Sequence, residues 1–128
     1  MGQLIYPELS YKINGILYKT HNQLGRFRTE KDYADYLEKE FSKNNIKYKR
    51  ELILSLSFDG EKPGRHRIDF LIEEKIILEI KTKRFFTRED YYQIKRYLSV
   101  FKKKLGLLVN FRSKFLKIKR VLNSEVSD

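Results

Sequence analysis

Apolar residues recur along this chain first at the spacing of helices and then at the spacing of strands. Leu9, Ile13, Ile16, Leu17 and Leu24 predict a helix over residues 8–24, with Gly25 as its stop. A second helix is predicted over residues 29–43. Thr29 is its N-cap, Asp32 stands at the capping-box distance, and Tyr33, Leu37 and Phe41 share one face. The period then falls to two. Residues 47–58 (KYKRELILSLSF) put Leu52, Leu54 and Leu56 on one side and read as a strand, followed by the turn-forming run DGEKPG. Strands are predicted at about 66–73 and 75–83, joined by a tight turn around Glu74. Thr87, with Asp90 three residues on, caps a third helix that runs to about residue 103. LGLLVNF reads as a buried strand and FLKIKRVL as an edge strand. The order is helix, helix, three strands, helix, strand, strand. It predicts an α+β (α/β) fold with a mixed central sheet flanked by helices. With no internal repeat or linker, residues 1–128 read as a single domain.

The segment HRIDFLIEEKIILEIKTK carries the candidate chemistry. Side chains alternate across a strand, so one face holds Ile68, Phe70, Ile72, Ile76, Leu78 and Ile80 and must be core. The other holds Arg67, Asp69, Leu71, Ile77, Glu79, Lys81 and Lys83. A turn centred on Glu74 places Asp69 opposite Glu79, with Cβ atoms about 4.5–5.5 Å apart. A slip of one residue would spoil that pairing. Two carboxylates side by side repel, and a divalent cation would turn them into paired ligands. Lys81 shares their face and can meet charge that develops on a phosphate. The plain alternative is a solvated polar face with a surface ion pair.

Composition narrows the chemistry. The chain has no cysteine, which excludes thiol catalysis, disulfides and Cys-based zinc sites. Its only histidines, His21 and His66, are far apart, so oxygen ligands and Mg²⁺ or Mn²⁺ are the expectation for any bound ion. Twenty-eight Lys and Arg against 17 Asp and Glu leave a formal net charge of +11, a field that attracts polyanions such as nucleic acid. No apolar run approaches the roughly 20 residues of a membrane span, and the start lacks a signal-peptide layout, so a cytoplasmic location is expected.

At Asp69 followed by Glu79-Ile80-Lys81, the sequence resembles the PD-(D/E)XK nuclease superfamily. Over nearly its whole length it is similar to the GxxExxY subgroup. Glu30 and Tyr33 fall on that motif's Glu and Tyr, Phe27 replaces its Gly, and Gln93, Tyr97 and LGLLVNF match later elements. The resemblance implies a restriction-endonuclease-like αβββαβ core, here with an extra N-terminal helix, and Mg²⁺-dependent phosphodiester cleavage. It gives Glu30 a place with Asp69 and Glu79 in the metal site and Gln93 a supporting role. DNA is the expected substrate, and cutting both strands of a duplex would favour a homodimer. The alternative is an inactive nuclease-fold module that binds nucleic acid or an acidic protein.

Other residues carry two readings each. An acidic Glu30 in a helix's first turn is favoured by the helix dipole whatever its function. Gln93 lies four residues before Tyr97 and could be a surface hydrogen-bonder. Tyr33 and His21 read as packing residues. Tyr91 and Tyr92 suit either base stacking or core packing. Arg67 and Lys83 flank the carboxylates and are candidates for phosphate contacts. The run Lys102, Lys103 and Lys104 and the tracts KNNIKYKR and RSKFLKIKR are candidate nucleic-acid-binding surfaces.

Overall fold

The computed structural model describes residues 5–53, 59–60 and 67–126. Its elements follow the predicted order: α1 (Pro7–Leu24), α2 (Glu30–Lys43), β1 (Tyr48–Ile53), β2 (Arg67–Ile72), β3 (Ile76–Lys81), α3 (Arg88–Phe101), β4 (Leu105–Asn110) and β5 (Lys117–Leu122). Leu54, Leu56, His66 and most of the expected DGEKPG turn lie outside the described residues.

Local chemistry accounts for the boundaries. Pro7 opens α1, where its missing N–H removes no helical bond. Gly25 closes it at φ 77°, a left-handed backbone that suits glycine, and donates its N–H to His21 O at 2.8 Å. Thr29 with Asp32, and Thr87 with Asp90, form complete capping boxes at the starts of α2 and α3. Between β2 and β3, Glu73 and Glu74 both have left-handed backbones (φ 52° and 58°), and Lys75 N–H meets Ile72 O at 2.9 Å. Two consecutive positive φ values give the tight reversal that matches strand twist and holds the hairpin's register.

The five strands lie in chain order in one sheet. Only β3 and β4 run parallel, and α3 supplies the crossover between them. Both faces of the sheet are covered. On one, Ile13 and Leu17 of α1 and Tyr33, Leu37 and Phe41 of α2 pack on Phe70, Ile72, Ile76, Leu78 and Ile80. On the other, Ile94, Tyr97 and Leu98 of α3 pack on Leu71, Ile77, Leu108 and Val121. Ring packing joins the first layer together: Tyr33 stacks on Phe111 at 4.1 Å, and Phe41 meets Phe70 edge-on at 5.4 Å. Tyr33 also donates its hydroxyl to Gly25 O, so it fastens the α1–α2 turn from within the core.

One part of the strand reading is corrected. Strict alternation assigns Ile68 to the face of Phe70, yet it packs with Leu52, Leu71 and Ile77 beneath α3. The β1–β2 ladder explains this. Arg50 pairs with Phe70 and Leu52 with Ile68, while Glu51 between them takes a left-handed backbone at φ 56°. That irregularity turns the sheet locally, and it lies beside Asp69.

Gly106 sets how closely α3 approaches β4. A Cβ there would fall 2.6 Å from Ile94 Cδ1 and 2.9 Å from Ile94 Cγ1. Gly106→Ala should therefore destabilise the fold by about 1–3 kcal/mol through overpacking. Equilibrium denaturation reads this directly, and an unchanged or raised midpoint would show that the helix can retreat freely.

Candidate active site

The site sits where the β2–β3 ladder stops. Register pairs run Ile72↔Ile76, Leu71↔Ile77 and Phe70↔Leu78, and the next step outward brings Asp69 to Glu79. There, side chains take over from backbone. Asp69 N–H donates to Glu79 Oε2 at 3.0 Å, and Ile80 N–H donates to Asp69 Oδ2 at 2.7 Å. Each carboxylate thus accepts a backbone N–H from the opposite strand. The strands splay at this point, and the two acids are held across the gap.

Burial makes the pair unequal. Glu79 is 3% exposed, whereas Asp69 is half-buried. Desolvation, the Asp69 charge and a hydrogen bond between the two carboxyls push Glu79 well above the ordinary glutamate range, against opposing effects of Asp69 N–H and Lys81. A buried carboxyl with a second beside it is a poor place for two negative charges without a cation.

Glu30, in the first turn of α2, approaches from the other side. Partial burial and Asp69 raise its pKa, while Lys81 and hydrogen bonds to the Thr82 hydroxyl and backbone lower it. Glu30 and Asp69, with Arg50 and Glu51, line a cleft of about 210 Å³. Arg50 is committed within it, donating to Asp35 Oδ1 at 2.8 Å and Glu38 Oε2 at 2.7 Å.

Lys81 is positioned by α3. Its Nζ donates to Gln93 Oε1 at 3.2 Å and lies 3.8 Å from Asp90 Oδ1. Gln93 in turn hydrogen-bonds Tyr97, whose hydroxyl is raised by burial and by the nearby Glu79 and Asp69 charges. Lys83 does not stand free for phosphate. It binds both oxygens of Asp90, at 3.0 and 2.9 Å. Burial would raise the Asp90 carboxyl, but Lys83, the Thr87 N–H and Lys81 together hold it below the usual range.

The structure therefore brings together Asp69, Glu79, Lys81, Glu30 and Gln93 from α2, β2, β3 and α3. Arg67 is exposed near this end, 3.9 Å from Glu51. Lys102, Lys103 and Lys104 lie at the opposite end of the sheet, before β4 begins, and Lys103 neighbours Glu74 of the hairpin turn. Position in sequence hid that separation. His21 is a packing residue, with Nε2 2.9 Å from Ser113 O and its ring against Phe111. Tyr91 packs partly into the second core with Lys95 and Lys119 on its ring, while Tyr92 is exposed.

Two residues escaped the sequence reading. Asp90 was legible only as a helix cap, yet it also anchors Lys83 and faces Lys81. Buried Asn110 reads as the end of an apolar strand. Its amide donates to Lys83 O at 2.7 Å, and its Oδ1 accepts from the N–H groups of Lys83 and Arg112, both at 3.2 Å. An amide at the end of LGLLVN is the one signal that could have marked it.

The donor set suits a hard cation. Among the described residues, no group of three or more His, Cys, Asp or Glu side chains is placed to hold a metal ion, so the expected trio of Glu30, Asp69 and Glu79 is not assembled as one. Mg²⁺ does not need such a group, since one or two carboxylates with water and phosphate oxygens suffice. Asp69 and Glu79 would hold such an ion.

Comparison with known proteins bears on the family and the fold. No curated protein matches the chain. The solved crystal structure of SSO0001 is similar in fold, with a TM-score of 0.55 and 21% identity, covering 92% of this chain and 57% of that one. The chain thus spans little more than half of that protein's length. The profile of the PD-(D/E)XK nuclease superfamily matches residues 7–121, from the first turn of α1 to the end of β5. On that match and on the fold that holds Asp69, Glu79 and Lys81 together, the chain belongs to the PD-(D/E)XK nuclease superfamily.

Proposed function

We propose that this chain is a Mg²⁺-dependent nuclease that hydrolyses phosphodiester bonds of nucleic acid, with DNA as its substrate. The observation that carries the reading is the mutually repelling pair of half-buried Asp69 and buried Glu79 with the ammonium of Lys81 alongside. The family resemblance to the GxxExxY subgroup and the net charge of +11 support it. A bound Mg²⁺ supplies Lewis acidity and lowers the pKa of a coordinated water. The chain's own residues do the rest. Asp69 and Glu79 present oxygen ligands whose orientation is set by the backbone N–H groups they accept. Lys81, kept in place by Gln93 and Asp90, offers a positive charge to the phosphate as negative charge builds there. Glu30 completes the acidic side of the cleft and would contribute through ordered water.

A second reading has one observation in its favour. Glu30 is engaged with Thr82, as in a module that keeps the fold and has lost the chemistry. Metal titration separates the two. A working site should raise the unfolding temperature as Mn²⁺ is added, by an amount that grows with ion concentration. A retired site would show no such response.

Incubation with DNA and RNA forms, in the presence and absence of Mg²⁺ or Mn²⁺, should give metal-dependent cleavage. Asp69→Asn, Glu79→Gln and Lys81→Met should each lower the rate about 100-fold or more. Gln93→Ala should lower it about 10-fold, as befits a supporting residue. Intact substrate in every arm with the unmutated protein would end the proposal.

A pH dependence follows from the raised Glu79. The folded state favours its protonated form, so the associated stability is complete below the ordinary glutamate range and is lost as pH rises through the raised value. Glu79→Gln stays neutral throughout. In EDTA it should unfold at higher denaturant than the unmutated protein at about pH 8, and the gap should close by about pH 4. A gap that widens with acidification would contradict the assignment.

A further inference from the structure

Three phenylalanines stand in solvent on three different loops: Phe27 at 73% exposure, Phe85 at 70% and Phe115 at 77%. The loops are the α1–α2 connection (25–29), the β3–α3 connection (82–87) and the β4–β5 connection (111–116). All three meet at one end of the sheet. β3 and β4 run parallel, so the loops that follow them leave on the same side. Asn110 bonds to the backbone of both Lys83 and Arg112, and Arg26 Nε donates to Arg112 O at 2.8 Å, which draws in the α1–α2 loop. This is also the end that carries Lys81 and Glu30.

Each ring is accompanied by cations. The guanidiniums of Arg26 and Arg112 both lie 5.0 Å from the centre of Phe27. Arg84 lies 5.8 Å from Phe85, and Lys114 Nζ 5.6 Å from Phe115. The basic run Lys102–Lys104, by contrast, is at the far end of the sheet.

We propose that this rim is a platform for unpaired nucleic-acid bases, making a single strand or a frayed end the preferred substrate. The proposal rests on the reading of the adjoining site as one that handles nucleic acid. Flat apolar rings set among positive charges match a single strand, which offers base faces and phosphates together. In a duplex those faces are covered by their neighbours, and a loop phenylalanine has nothing to stack on. Exposed rings without charge would suit a protein partner equally well. The guanidiniums beside Phe27 and Phe85 supply the complementarity that selects a polyanion.

The test is fluorescence anisotropy in EDTA, where no cleavage occurs, with a labelled 20-nucleotide DNA strand, its duplex, and an abasic strand of equal length. The single strand should bind about 10-fold tighter than the duplex. Phe27→Ala and Phe85→Ala should each weaken its binding about 5-fold or more and shrink that preference, while Phe→Trp at the same positions restores it. The abasic strand, with the same phosphates, should bind like the alanine variants. Equal affinity for single strand, duplex and abasic strand would overturn the platform. So would binding to anionic phospholipid vesicles with none to DNA. Metal-dependent cleavage that persists without any base dependence would remove this inference and leave the nuclease reading standing. Base-dependent binding without cleavage would do the reverse.

Discussion

Two side-chain carboxylates close the open end of a β-hairpin by each taking a backbone N–H from across it, and much of the rest of the molecule is arranged around that exchange. Asp69 accepts the backbone N–H of Ile80, and Glu79 that of Asp69. The hairpin can therefore open without leaving buried donors unpaired, which would cost about 1–3 kcal/mol for each. Glu51 on the neighbouring strand, opposite Asp69, takes a left-handed backbone, while β1 stays paired with β2 on either side of it. Like charges held this close are unfavourable in the metal-free protein. The fold tolerates them because hydrophobic layers on both faces of the sheet supply its stability independently of the site.

The positive side of the site is organised by different elements. Asp90 begins α3 as a capping residue and at the same time binds Lys83 and faces Lys81. Asn110 ties the end of β4 to the backbone of Lys83, and Phe111 N–H donates to Lys81 O at 3.0 Å. The chain just beyond Glu79 is thus gripped from a helix and from a parallel strand. Lys81 receives Gln93 as its near partner because that helix is docked by Ile94 and Leu98 against Gly106. Core packing and the placement of the ammonium are one problem here, solved by the same helix face.

Much of this was legible in the residues. The turn at Glu74 and the alternation around it put Asp69 opposite Glu79, and the two Thr-Asp capping boxes located α2 and α3. What the pattern could not reveal depended on departures from regularity or on three-dimensional neighbours. Ile68 changed core because Glu51 adopts a backbone that no periodicity announces. Lys83 was expected at phosphate, and its partner Asp90 lies on an element whose docking is tertiary. Lys102, Lys103 and Lys104 read as a candidate nucleic-acid-binding run, and the parallel crossover carries them to the far end of the sheet from Asp69 and Glu79. The three exposed phenylalanines were invisible as a group for the same reason, since only the strand order unites their loops.

The parallel pairing of β3 with β4 also bears on synthesis. A ribosome releases the hairpin with both acids well before residues 105–110, which flank β3 on its other side. Until they emerge, β3 is an open edge, Asn110 is absent, and the ammonium beside the acids has no fixed backbone behind it. Until residues 105–110 have emerged, a nascent chain therefore holds the two acids and the ammonium without the strand that fixes their backbone.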